Sequence, residues 1–158
     1  MTQALSWQDI VALRFVAESY GMAVDRNDAT LFAAQFTPDG VLEAPRGRFS
    51  GHAELATVPG MMAGLYDRTH HGIVGQVPVL GGRAVVTADT YTHARHYYTA
   101  RRDGAEHCYE MTVRYEDHFV KSNDSWLLRH RKLVLVGDAT FRTGRDPETD
   151  KGDKKNEH

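Results

Sequence analysis

The stretch THHGIVGQVPVL, residues 69–80, marks the point at which the chain changes its period. Upstream of it, apolar residues recur every three or four positions. From Thr69 onward every second residue is apolar or glycine, the spacing of a strand with one buried face. Three more segments with strand character follow, at 83–100, 107–121 and 125–136. They are separated by Gly81-Gly82, Arg102-Asp103-Gly104 and Asn123-Asp124, residues suited to hairpin turns. Long strands joined by short turns predict an antiparallel meander.

Before this stretch the pattern is helical. Ile10, Leu13, Ala17, Tyr20, Gly21 and Val24 form one stripe of a helix over 6–24, with Ser6 as its N-cap. Residues 25–28 read as a tight link, and Asp28 is placed to cap a second helix over 29–36 that stops before a turn at Thr37-Pro38-Asp39-Gly40. Residues 41–44 and 48–50 have the look of a small hairpin. A third helix over 52–65 is broken or kinked by Pro59-Gly60. Helices first and strands after predict an α+β domain, with the helices packed on one face of a curved antiparallel sheet. That domain is expected to span residues 1–141. Residues 142–158 hold no apolar side chain, cannot offset their ordering entropy, and are expected to be disordered.

Composition narrows the function classes. The formal net charge is -2, with 19 basic residues against 21 acidic ones, so no positive excess exists to neutralise a phosphate backbone or an anionic membrane. Neither nucleic acid nor membrane is an expected partner. Cys108 is the only cysteine, which excludes an intramolecular disulfide and fits a reducing compartment. With no signal-peptide pattern at the N-terminus and no apolar run long enough to span a bilayer, the expected location is the cytoplasm.

Nine histidines in 158 residues invite a metal reading, but their spacing argues against it. There is no HExxH, and both His70/His71 and His93/His96 would point to opposite faces of their strands. No metal and no cofactor are expected. Strand parity sorts the histidines further. His71 falls on the inward face with Ile73, Gly75, Val77 and Val79, whereas His70 falls with Gln76 and Pro78. His96 shares a face with the mostly small residues Val86, Ala88, Thr90, Thr92 and Ala94, which leaves room for a cavity. On the third strand Tyr109, Met111, Val113 and Tyr115 share the inward face. On the fourth, Leu133/Leu135 and Val134/Val136 are both apolar, and only if the leucines face inward does Arg131.

Asp25 stands at the end of the first helical stripe, where an unpaired buried carboxylate would be costly. Either it is solvated or a histidine on the facing strand satisfies it. Were His71 that partner, Asp25 would hold its Nδ1 proton and leave Nε2 as a base, with Tyr20 available to donate to a ligand from the cavity rim. The plainer alternative is a helix-capping Asp25, a satisfied core His71 and a packing Tyr20.

The pattern Tyr20-x4-Asp25-x2-Asp28, Phe36-x2-Asp39-Gly40-Val41, Gly51, Thr69-His70-His71, Tyr115-x3-Phe119-Val120 and Trp126-x4-Arg131 resembles the SnoaL-like branch of the nuclear transport factor two-like superfamily over about residues 6–136. The resemblance implies a cone-shaped α+β barrel with helices on its concave face. It also implies a cofactor-free lyase of the dehydratase or dehydrochlorinase kind, acting on a small apolar, aromatic or polycyclic substrate. Isomerases, cyclases, epoxide hydrolases and non-catalytic binding proteins share the same cup. By this resemblance Asp25 and His71 match the family's acid/base pair, Arg131 its last-strand arginine, Tyr20 a tyrosine of bile acid 7α-dehydratase, and His96 a second histidine of scytalone dehydratase. Tyr115, Val24 and Phe36 are implied as substrate-binding, although Val24 stands where scytalone dehydratase carries a catalytic tyrosine. Homodimers or homotrimers are common in such cones, and one is expected here.

Overall fold

The computed structural model describes residues 4–82 and 84–144. Helix α1 (Trp7–Asp25) starts where Ser6 Oγ accepts the Asp9 amide at 3.1 Å. It ends at a left-handed residue, Asn27, with φ 52°. Asp28 then caps α2 (Ala29–Ala34), its carboxylate accepting the Leu31 amide at 2.8 Å. Strands β1 (Phe36–Ala44) and β2 (Gly47–Ser50) form a hairpin. The third helix is two short ones, α3 (Gly51–Leu55) and α4 (Val58–Ala63). The break lies at residues 56–57, ahead of the expected Pro59-Gly60, because Pro59 sits in the first turn of α4, where its missing N–H costs nothing. Four long strands follow: β3 (Tyr66–Gly82), β4 (Val85–Tyr98), β5 (His107–Ser122) and β6 (Ser125–Arg142).

The strands form one sheet in the order β2-β1-β6-β5-β4-β3. The meander β3 to β6 is antiparallel as expected, and Asn123 and Asp124, at φ 47° and 61°, make a two-residue turn between the paired Ser122 and Ser125. The sheet as a whole is mixed, since β1 joins β6 in parallel, and it stays open instead of closing into a barrel. The anticipated turn at Thr37–Gly40 is a bulge inside β1: Phe36 pairs with Leu128 and Val41 with His130, so four residues stand opposite one. Gly40 permits this, because a Cβ there would lie 2.8 Å from the Phe36 Cβ and 3.0 Å from the Leu128 carbonyl oxygen.

A second bulge corrects the reading of β3. Pairing shifts between Ile73↔Thr92 and Gly75↔Tyr91, and side-chain parity reverses there. His71 faces inward as expected and His70 outward. Beyond the bulge Gln76, Pro78 and Leu80 turn toward the interior, while Val77 and Val79 are exposed. At the far end β6 runs six residues past the expected Val136, and Thr143 Oγ1 donates to Glu106 at 2.6 Å. The remainder of the expected polar tail lies outside the described residues.

The core forms between α1, α2 and the inner face of the sheet, around Leu13, Phe32, Phe36, Phe119 and Leu128. Each such side chain contributes about 1.5–3 kcal/mol by leaving water. Within it lies an ion pair. Arg131, fully buried, donates from Nε and Nη2 to the two oxygens of Asp117, directly opposite on β5, both at 2.7 Å. Thr90 Oγ1 adds a third bond to Asp117 at 2.7 Å. The leucine face of β6 therefore points inward, and it carries Arg131 with it. Removing one partner strands the other charge in an apolar interior. Asp117→Ala is expected to lower unfolding free energy by about 3–5 kcal/mol in urea titrations, and Asp117→Leu combined with Arg131→Met to restore most of it.

Candidate functional site

The site begins with a close approach. Gly21 faces β3 so tightly that a Cβ at this position would lie 3.0 Å from the His71 Cβ. Asp25, one turn further on the same face of α1, is thereby brought onto β3 at His71. Its carboxylate accepts three hydrogen bonds: His71 Nδ1 and Thr69 Oγ1 donate to Oδ1, each at 2.7 Å, and the His71 amide donates to Oδ2 at 3.0 Å. A carboxylate at the C-terminal end of a helix opposes the helix dipole. Burial also pushes the Asp25 carboxyl up, yet the bonds from His71 and Thr69 outweigh it and hold the pKa below the ordinary 3.8. Asp25 is thus an anion to which His71 Nδ1 must donate, which leaves Nε2 as the ring nitrogen not bonded to it.

His71 opens onto a cavity of about 220 Å³ between α1, α4 and the sheet. Its walls are mostly apolar, built from Val24, Leu42, Val58, Met62, Val113 and Leu133, with tyrosine hydroxyls and imidazoles at separate points. His96 stands edge-on to His71 at 5.2 Å between ring centroids. Its Nδ1 donates to the Tyr109 carbonyl oxygen at 3.2 Å. Burial, with His71 close by, pulls its pKa from 6.5 down to about 4. At neutral pH His96 is therefore uncharged, and its Nε2 is an acceptor.

Tyr20 and Tyr115 both line the cavity, their rings edge to face at 5.7 Å. Burial raises the pKa of each phenol, so both keep their protons as hydrogen-bond donors. Beneath them lies Arg131, its guanidinium carbon 4.4 Å from the Tyr20 ring centre and 4.2 Å from that of Tyr115. Arg131 is not part of the cavity wall. The two rings cover it, so any influence on a ligand passes through them. Phe36 is also absent from the wall. It packs behind Tyr20, ring centroids 6.1 Å apart, and is buried in the core.

The structure thus brings His71, His96, Tyr20, Tyr115 and Val24 together at one cavity, sets Asp25 against His71 outside the wall, and places Arg131 and Phe36 behind it. Three neighbours were not singled out in the sequence. Tyr66 fell in the unassigned gap between the third helix, over 52–65, and the strand from Thr69, and Arg46 in a hairpin connection. Asp117 did carry a readable signal, since it continues the inward parity of Tyr115. Among the described residues no group of three His, Cys, Asp or Glu side chains is placed to hold a metal ion. No helix among them is long and apolar enough to cross a membrane.

No curated protein sequence matches the chain. Among solved structures, a candidate scytalone dehydratase from Novosphingobium aromaticivorans is similar at a TM-score of 0.75 and 18% identity, covering 88% of this chain and 95% of that one. A hexachlorocyclohexane dehydrochlorinase from Novosphingobium barchaimii is similar at 0.76 and 9%, covering 87% and 92%. A Mycobacterium tuberculosis protein of unknown function is similar at 0.71 and 18%, covering 82% and 72%. Identities this low establish the shared fold. The sequence pattern of the SnoaL-like domain matches residues 6–132, most of the chain, and the protein belongs to the SnoaL-like domain family.

Proposed function

We propose that this protein is a cofactor-free lyase that eliminates water or a halide from a small, largely apolar substrate held in the cavity. The observation that carries the reading is the Asp25–His71 pair, at 2.7 Å, at the wall of an apolar cavity. A neutral imidazole whose Nδ1 proton is held by a carboxylate is a general base at Nε2. In the elimination, Nε2 takes a proton from a substrate carbon, the C–H electron pair becomes the new double bond, and the leaving group departs with its own bonding pair. Asp25 stabilises the imidazolium formed. Tyr20 and Tyr115, protonated and backed by the Arg131 cation, donate hydrogen bonds to the departing or developing anion. His96, neutral, adds no competing charge next to the base. Fold relatives described as a dehydratase and a dehydrochlorinase support the same class of chemistry. The pair could also return its proton to a neighbouring carbon, which would make the enzyme an isomerase. Unchanged product mass on mass spectrometry separates that outcome from loss of water or HCl.

The base can be tested without the natural substrate. 5-Nitrobenzisoxazole opens when one carbon-bound proton is removed, and the phenolate produced is followed by absorbance. His71→Ala is expected to lower kcat/KM for this probe by about 10²- to 10⁴-fold. Asp25→Asn, which keeps the shape and removes the charge, is expected to lower it by about tenfold or more, with circular dichroism unchanged in both. Undiminished turnover in His71→Ala would remove His71 as the base. Hexachlorocyclohexane, followed by chloride release, and scytalone, followed by loss of water, are the first elimination substrates to try.

The depressed pKa of His96 also predicts a stability profile. Between pH 6.5 and about 4 the unfolded chain binds a proton at this position that the native chain does not, so stability is fully present above that window and falls as the pH drops through it. The loss attributable to His96 is about 3 kcal/mol. Asp25, held down in the native state, adds a loss in the same direction at still lower pH. Urea titrations from pH 7 to 4 should show the decline, and His96→Asn should flatten its upper part.

A further inference from the structure

Among the described residues, the mouth of the cavity carries a cation with no carboxylate to answer it. Ala44 and Gly47 pair across the β1–β2 hairpin, so Pro45 and Arg46 form its two-residue connection, with proline limiting the backbone beneath the arginine. Arg46 and Pro45 both line the cavity, and Arg46 is the only arginine or lysine that does so among the described residues. Among the described residues no aspartate or glutamate lines it. Elsewhere Arg14, Arg68, Arg95, Arg114 and Arg129 each face a carboxylate, and Arg131 holds Asp117. Arg46 instead donates one hydrogen bond, from Nη2 to the Tyr66 hydroxyl at 2.9 Å. A guanidinium has five N–H donors in a planar fork suited to a carboxylate, and this one is held at the cavity mouth with most of that fork unengaged by the described residues.

The tether also sets direction. Tyr66 is buried and packs on His96 at 5.0 Å, and His96 stands at 5.2 Å from His71. Arg46, Tyr66, His96 and His71 therefore follow one wall, from the mouth to the proposed base. A ligand anchored at Arg46 would lay its apolar body along this wall, with its far end at His71.

We propose that Arg46 is a specificity-determining residue that takes the carboxylate of a substrate whose apolar, ring-sized body fills the cavity and reaches His71. This rests on the reading of the cavity as the substrate site and adds the chemical class of the ligand. The fork would bind the carboxylate bidentately. Because Arg46 is exposed at the mouth, salt would screen this attraction and leave apolar burial untouched.

The test is a comparison of two probes of one shape, naphthalene-2-carboxylate and naphthalene-2-carboxamide, titrated calorimetrically into the full chain at neutral pH. The carboxylate is expected to bind about tenfold more tightly than the amide, with the ratio shrinking as salt is raised. In Arg46→Met the ratio falls to near one. In Arg46→Lys, which keeps the charge and loses the fork, part of it returns. Equal affinity for acid and amide in the unaltered protein, or a ratio that survives Arg46→Met, overturns the proposal. The ratio is read without turnover, so it is separable from the base. Turnover undiminished in His71→Ala would sink the mechanism and leave the ligand class standing, and a missing acid preference would do the reverse.

Discussion

The contact between Gly21 and His71 is the constraint on which the rest of the site depends. A helix carrying any side chain at position 21 would stand further from β3 or push it aside, since a Cβ there already meets the His71 Cβ at 3.0 Å. With glycine, α1 lies close enough for the side chain of its last residue to reach the strand. Asp25 then satisfies three donors of β3 at once, and those donors hold a carboxylate where the helix dipole would otherwise reject it. Packing and chemistry meet in this contact.

An ion pair and a carboxylate–imidazole pair divide the interior between them. Arg131 and Asp117 are sealed in the core, with Thr90 completing the carboxylate's bonds, and they act as a rigid support beneath Tyr20 and Tyr115. His71 stands at the cavity wall with Asp25 bonded to its Nδ1, and Nε2 is left for something else. A buried pair with most of its bonds satisfied specifies structure at an energetic cost. A pair with one nitrogen held back suits proton transfer. The histidine beside it, His96, remains neutral because burial disfavours its charge, so the basic nitrogen of His71 has no cation next to it at neutral pH.

Strand period in the sequence was enough to choose His71 over His70 and to set His96 and Tyr115 on the inner face, because alternation survives along any uninterrupted strand. It failed for Val77 and Val79. One extra residue near Val74 reverses the parity of everything after it, and no residue there announces a bulge, least of all in a run that is apolar on both registers. The stretch Thr37–Gly40 was misread for a related reason. Thr37-Pro38-Asp39-Gly40 has turn composition, and the same residues serve a bulge once β6 offers its edge to β1.

What the amino-acid order determined by itself is local: where α1 begins and ends, which residues cap α2, where the chain turns at Asn123-Asp124, and which histidines share a face. These follow from φ/ψ preferences and from periods of 3.6 and 2, which act between near neighbours. Tertiary structure decided the rest. The parallel pairing of β1 with β6, the screening of Arg131 behind two tyrosine rings and the arrival of Arg46 at the cavity mouth all join residues tens of positions apart. No period or turn signal carries their distance or direction; those arise only when the sheet curves around α1 and the leftover charges find, or fail to find, their partners.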